Sequence, residues 1–520
     1  MMNIEGKNVI GFSNLSNGTV GIWAINPTTG DPIPPLFFKS TPQECEKAVA
    51  LAAEAFATYR KMNREKKSAF LDQIAIEIEE MGDTLLDRYT QESGLPRGRA
   101  EGERARTVAQ IRLFAQLIKE GSWVRAQIDP ADKKRKPLPK ADIRSMEQAI
   151  GPVAVFGASN FPLAFSVAGG DTIAALAAGC PVVFKAHPAH LGTSELAAKA
   201  IQQAAQKSGM PDGIFSLLID DAVTIGQQLV KHPLIKAVAF TGSFTGGKAI
   251  FDAAMARPEP IPVYAEMGSI NPVFVLPEII ESKAEQIAEQ FVAAVTLGVG
   301  QFCTNPGLLV VQKNQKMIAA LQDKIGQTEG GVMLTKSIFE QYDKSVKDRK
   351  KQVALLGTGL RIEGHQTARP HVFMTDFATF AKKNQLHEEV FGPSSLVVVV
   401  QDEQEMTELA KLLKGQLTCS IHGTDEELAA HTGLIDILEQ KAGRLVFNGF
   451  PTGVEVTPAM VHGGPFPATT DARSTSVGTQ SIYRFTRRIC YQDKPGALLP
   501  DELKDKNPLK IKQQINGIIA

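Results

Sequence analysis

Three short stretches of this sequence place reactive groups where chemistry is conceivable. Cys303 lies in Gly300-Gln301-Phe302-Cys303-Thr304-Asn305-Pro306, after a long helix-forming segment and just before a proline. A thiol becomes a strong nucleophile once its pKa, about 8.5 when free, is lowered locally. Glu266 lies in Tyr264-Ala265-Glu266-Met267-Gly268-Ser269-Ile270-Asn271-Pro272, directly after the apolar stretch PVYA. A carboxylate at the end of an apolar strand is costly unless it is paired or handles protons. Gly242-Ser243-Phe244-Thr245-Gly246-Gly247 follows the apolar run AVAFT and opens a helical pattern. Glycines at such a turn let a phosphate approach backbone N–H groups at a helix N-terminus. Alone, each stretch has an ordinary alternative: a buried structural cysteine, a solvated strand end, a tight turn that is not GxGxxG.

The elements that must position these groups are legible from periodicity. Residues 42–120 read as helices, with Phe70, Leu71, Ile74 and Ile78 on one face and Glu77, Glu79 and Glu80 largely off it. Residues 127–142 are rich in charge and proline and read as a protruding loop or linker. After residue 150 short apolar runs (PVAVFGAS, PVVFKA, IFSLLI, AVAFTGS) alternate with helical segments. That rhythm predicts a parallel, doubly wound α/β sheet, which binds a dinucleotide at the carboxyl ends of its strands. From 271 the pattern restarts with NPVFVL, which predicts a second α/β unit. The late strand IYRFTRRICYQ has no sequence neighbour; it pairs either with the 143–150 segment or with another subunit.

Composition narrows the class. A chain of 520 residues exceeds one compact core, so two or three units are expected. Lys+Arg and Asp+Glu balance at 56 each, which gives no support for a nucleic-acid partner. No apolar run reaches 18 residues, so no membrane span is expected. The first residues, MMNIEGKNVIGFSN, lack a secretory pattern. Five dispersed cysteines without a CxxC pair point away from a zinc site, so no metal is expected, and suit a reducing, cytoplasmic compartment.

Taken in order, Asn160-Phe161-Pro162, Lys185, Gly242–Gly247, Glu266, Cys303 and Glu388-Glu389-Val390-Phe391-Gly392-Pro393 resemble the aldehyde dehydrogenase superfamily over about residues 20–495. The resemblance implies an aldehyde dehydrogenase-like α/β fold with three parts. These are a Rossmann-type dinucleotide-binding domain (1–126 and 151–267), an α/β catalytic domain (268–470), and a small oligomerisation arm with C-terminal tail (127–150 and 471–520). It implies that Cys303 attacks the aldehyde, that the Asn160 amide and the Cys303 backbone N–H hold the oxyanion, and that Glu266 activates water against the thioester. It also implies that Lys185 and Glu389 contact the cofactor riboses, Phe391 the nicotinamide, and Gly242, Ser243 and Gly247 the pyrophosphate. A homodimer or homotetramer is implied, assembled through the 127–150 arm and the 482–492 strand.

The departures from the family are informative. Where many relatives read Lys-Pro-Ser-Glu, this chain reads Lys185-Ala186-His187-Pro188. The missing carboxylate removes a group that would bond a ribose 2′-hydroxyl and repel a 2′-phosphate. NADP is therefore expected to be accepted and preferred, with NAD also used and His187 within reach of the phosphate. Gly268-Ser269-Ile270 replaces Gly-Gly-Lys, Ala158-Ser159 precedes Asn160, and His462-Gly463-Gly464-Pro465-Phe466-Pro467-Ala468 stands near the end. These spellings resemble a bacterial branch of 2,5-dioxovalerate (α-ketoglutarate semialdehyde) dehydrogenases and NADP-preferring long-chain aldehyde dehydrogenases. A carboxylated aldehyde calls for a cation in the tunnel, and Arg104, Arg106 and Arg112 are the candidates; a fatty aldehyde would instead need an apolar channel, which Phe114 could line. An acylating, coenzyme A-dependent relative would not need Glu266, an inactive member would be expected to lose Cys303, Asn160 or Glu266, and a plain nucleotide-binding module gives no reason for Cys303 and Asn160.

Overall fold

The computed structural model describes residues 3–519. Four helices, Pro42–Tyr59, Arg64–Glu80, Gly82–Ser93 and Arg97–Glu120, fill the predicted helical stretch. Phe70, Leu71, Ile74 and Ile78 are fully buried, as their spacing requires. Glu77 departs from expectation: it is buried, because Lys207 Nζ reaches its carboxylate at 2.6 Å and neutralises it.

The first sheet is built largely from the apolar runs after residue 150. Its strands lie in the order Val263–Glu266, Ala237–Thr241, Val153–Phe156, Val182–Lys185, Phe215–Leu218, Asn8–Ile10, Ser13–Leu15. The first five are mutually parallel, and the two N-terminal strands close the edge antiparallel. Chain order therefore reverses between Val153–Phe156 and Ala237–Thr241, which opens a crevice beyond their carboxyl ends. The second sheet runs Ala354–Thr358, His371–Asp376, Ser394–Val400, Leu308–Gln312, Pro272–Val275, Gln416–His422, Ala442–Phe447. It is parallel except at its Ala354–Thr358 edge. Both sheets read as near-continuous Val, Ile, Leu and Phe because helices cover both faces.

A third sheet settles the late strand. Thr486–Gln492 pairs antiparallel with Ile143–Ala149, which pairs with Gln127–Asp129, followed by Gln514–Ile515 and Ile518–Ile519. Residues 471–485 do not join this arm as expected. The 3-10 helix Thr479–Phe485 packs on the helix Gly170–Ala178, and Ser476 reaches Glu266, because the chain must cross the body before returning to the arm. Among the described residues no helix is long and apolar enough to cross a membrane.

Candidate active site

Asn160 sits just past the strand Val153–Phe156, at the carboxyl end beside the crevice. Its Nδ2 donates to the Gln301 carbonyl at 2.9 Å. An amide carries two N–H groups, so this bond fixes the side chain and leaves one hydrogen for another acceptor. Replacing Asn160 by alanine is expected to lower kcat by about 10²–10³-fold with little change in cofactor affinity, read by steady-state kinetics and cofactor titration.

Cys303 follows the 20-residue helix Pro277–Thr296 and the tight turn Leu297–Gly300. The chain reverses there through positive φ at Gly298, Val299 and Gly300. Gly300 is required twice over, since its φ is 66° and a Cβ would lie 2.3 Å from the Gly392 carbonyl. Buried Asn271 locks the loop, donating through Nδ2 to the carbonyls of Cys303 (2.8 Å) and Asn305 (2.9 Å). Asn271 Oδ1 in turn accepts from the hydroxyls of Ser269 and Thr418. The thiol is thus held by a fully hydrogen-bonded base rather than a flexible loop.

Glu266 ends the strand Val263–Glu266 and is buried. Its backbone carbonyl accepts from Gly242 N, tying it to the neighbouring glycine turn. Ser476 Oγ donates to Oε2 at 2.6 Å, and His462 Nε2 lies 3.0 Å from Oε1. The same Nε2 is 3.4 Å from Cys303 Sγ, so one buried imidazole joins thiol and carboxylate. Burial pushes the Glu266 carboxyl up, but His462, the Ser476 hydroxyl and Arg484 together hold it below the usual range. Burial first, and then the charge of Glu266, push the Cys303 thiol well above its ordinary value. In the resting site the proton therefore stays on sulfur, and the carboxylate carries the charge.

Sequence reasoning missed His462 and Ser476 as site residues. The only signal was a histidine at the head of a Gly/Pro-rich loop; nothing in spacing ties position 462 to 303. The loop is carried inward because Ser476 N donates to the His462 carbonyl at 2.8 Å, while His462 N donates to Thr475 Oγ1 at 2.8 Å.

The positions expected to meet the cofactor come from both large sheets and the loops beside them. Ser243 caps the 12-residue helix Phe244–Met255, its Oγ accepting from Gly246 N, and Gly242 and Ser243 are exposed. Buried Gly247 packs on Met267 of the Glu266 segment. Half-buried Glu389 approaches Gly268 so closely that a Cβ there would lie 2.4 Å from its Oε2. Burial pushes the Glu389 carboxyl up to about 8, against the pull of the Ser269 N–H. Phe391 is half-buried in the same loop. Lys185, half-buried at the end of Val182–Lys185, is lowered by burial against the pull of Asp220 and Asp221. His187 is occupied differently from expectation: its Nδ1 accepts from Ala189 N at 3.2 Å as a turn cap. Burial, and then His190 and Lys185, hold it well below the ordinary imidazole range.

A chamber of about 560 Å³ opens onto Cys303 and His462, walled by Phe161, Phe165, Phe302 and Met460. Arg106 lines it. Arg104 and Arg112 do not, contrary to expectation: Arg104 donates to the Gly82 carbonyl and Arg112 pairs with Glu79 on the surface, because both point off the helix face that meets the chamber. Arg99 and Arg444, not singled out from sequence, share the lining.

A doubly wound sheet thus accompanies a buried cluster of thiol, imidazole and carboxylate, the groups needed for covalent chemistry at a carbonyl. The family profile described as "Aldehyde dehydrogenase family" matches residues 16–469. The chain belongs to the aldehyde dehydrogenase family and uses NAD(P) to oxidise an aldehyde. It is 45% identical over 522 residues, 99% of both chains, to a protein of Acinetobacter baylyi named alpha-ketoglutaric semialdehyde dehydrogenase. It is also 45% identical over 525 residues, again 99% of both, to alpha-ketoglutaric semialdehyde dehydrogenase 2 of Azospirillum brasilense. Among solved structures, gamma-glutamyl-gamma-aminobutyraldehyde dehydrogenase of Burkholderia cenocepacia superposes with a TM-score of 0.81 at 22% identity, covering 94% of this chain and 97% of its own.

Proposed function

We propose that the chain oxidises 2,5-dioxovalerate to 2-oxoglutarate, with Cys303 as nucleophile and NADP as the preferred acceptor. The observation that carries the chemistry is the contact of the Cys303 thiol with the buried His462–Glu266 pair; the two full-length relatives narrow the aldehyde. The dinucleotide, when bound, supplies the hydride acceptor. Gly242, Ser243 and the open helix N-terminus suit its pyrophosphate, Lys185 and Glu389 its riboses, and Phe391 its nicotinamide face.

The chain's own steps follow. The buried His462–Glu266 pair takes up the proton from Sγ as sulfur bonds to the aldehyde carbon. The free Asn160 N–H and the Cys303 backbone N–H hold the oxyanion of the thiohemiacetal. Loss of hydride from that carbon leaves a thioester. Glu266, whose Oε2 is held by Ser476, accepts a proton at Oε1 from water as it attacks the thioester carbonyl; the C–S bond then breaks, sulfur takes back the proton held by the His462–Glu266 pair, and the acid leaves.

Preference for NADP is supported by the turn after Lys185. Pro188 carries no carboxylate there, Asp220 is engaged with the N–H groups of Ala222 and Ile225, and Asp221 pairs with Lys39. Pro188→Glu is expected to lower kcat/KM for NADP by about 10- to 100-fold and to spare NAD.

The substrate is tested by kcat/KM for 2,5-dioxovalerate, succinate semialdehyde and a long-chain aldehyde, each with NAD and NADP. A maximum with a long-chain aldehyde would replace this reading by a fatty-aldehyde enzyme. We further propose a cytoplasmic homodimer or homotetramer joined through the 127–149 and 486–492 strands, with the two large sheets as the cofactor and catalytic domains. Light scattering of the purified chain checks the assembly.

A further inference from the structure

Three arginines line the chamber, and among the described residues two of them form no salt bridge. Arg99 is neutralised by Glu103 at 3.4 Å and lies over the rings of Phe161 and Phe302. Arg106 and Arg444 have no carboxylate within 4.0 Å among the described residues, and each buries a nitrogen without an acceptor: Nη1 of Arg106 and Nε of Arg444. Glu103, the nearest acid on the Arg106 helix, is already consumed. Its oxygens accept from the N–H groups of Leu163 and Ala164, from the Tyr89 hydroxyl and from Arg99.

The two arginines line the same chamber although they come from different parts of the fold. Arg106 lies on the helix Arg97–Glu120 and Arg444 on the strand Ala442–Phe447. One loop ties both: Arg444 donates to the carbonyls of Pro451 and Gly453, and Arg106 Nη2 to that of Val454 at 3.3 Å. Fixed in this way, they lose little side-chain freedom when a ligand arrives. A buried cation without a counter-ion is costly, and a guanidinium's spare N–H groups match carboxylate oxygens. Besides the carboxylates of Glu103, already engaged, and exposed Glu455, much of the wall is aromatic or apolar (Phe161, Phe165, Leu297, Phe302, Met460), which suits a short methylene chain between two polar ends.

We infer that Arg106 and Arg444 form a receptor for the distal carboxylate and adjacent keto oxygen of the aldehyde substrate, in the chamber they share with Cys303. The inference rests on the substrate reading above and assigns the residues that enforce it. Both are binding residues; neither touches the reacting carbon.

The test compares kcat/KM for 2,5-dioxovalerate and for pentanal, its uncharged analogue of equal chain length, in the wild type, Arg106→Gln, Arg444→Gln and Arg444→Lys. Each glutamine variant is expected to lose about 10- to 100-fold on dioxovalerate, mainly through KM, and less than about 3-fold on pentanal. Arg444→Lys recovers part of the loss. Equal losses on both substrates, or none on either, overturn the receptor. A second readout is independent of which aldehyde is favoured. Inhibition of pentanal oxidation by 2-oxoglutarate is expected in the wild type and weakened in both glutamine variants; inhibition unchanged by the substitutions, or absent from the wild type, overturns the receptor. Should the wild type prefer pentanal while 2-oxoglutarate inhibition still depends on the arginines, the receptor stands and the substrate reading falls.

Discussion

Cys303→Ala is expected to lower kcat by at least about 10⁴-fold for every aldehyde, because no other group in the chamber can form the covalent intermediate. The other four cysteines offer no substitute. Cys45, Cys180 and Cys419 are buried away from the chamber lining, and Cys490 is exposed on the arm. The fold should survive. The loop is held through the backbone carbonyl of Cys303 by Asn271, and the His462–Glu266 contact does not pass through sulfur. The melting temperature should therefore fall by only a few degrees, as for a change of about 1 kcal/mol, and cofactor binding should persist by fluorescence titration. Retained dehydrogenase activity in this variant would remove the thiol mechanism altogether.

Glu266→Gln separates the two halves of the reaction. The first turnover should release NADPH in a burst, while steady-state turnover falls by about 10²–10⁴-fold, the usual worth of a positioned proton acceptor. The variant should also show an effect of opposite sign. Glu266 is one of the groups holding the Cys303 thiol up, so neutralising it should speed alkylation of Cys303 at neutral pH. Slow turnover with fast alkylation is a combination that simple misfolding cannot give. pH adds a third readout. The folded Glu266 carboxyl sits below its ordinary 4.5, so its ionised form stabilises the protein above that pH, and the contribution is lost as pH falls through the folded value. Acid unfolding of Glu266→Gln should lack that component, measured as a shallower fall of the melting temperature below pH 5. Undiminished turnover would take the role of base away from Glu266.

How much of this site could be read from the chain depends on whether a residue's position is a local or a tertiary fact. Cys303, Glu266 and Asn160 each end a recognisable element, and their order along the chain carried the family resemblance. The parallel sheet was legible because buried strands read as apolar runs. Arg106 was expected beside Arg104 and Arg112 because a helix can be read from sequence while the face it turns to a chamber cannot. The chamber face runs Gly98, Arg99, Gly102, Glu103, Arg106, at helical spacing. His462, Ser476 and Arg444 come from segments placed only by long-range packing, and no local pattern marks them. Residues 471–485 were assigned to the arm for the same reason: a connection that crosses the body looks, in sequence, like the tail it leads into.

The bonds that close the site join distant parts of the chain. Asn160 to Gln301 spans 141 positions, Cys303 to His462 spans 159, and Glu266 to Ser476 spans 210. Such contacts form late in folding, because each closes a large loop before it returns any stabilisation. Regain of aldehyde oxidation after denaturant dilution should therefore lag behind regain of helix and sheet signal. For this enzyme, activity is a clock that starts only when the whole chain has been gathered.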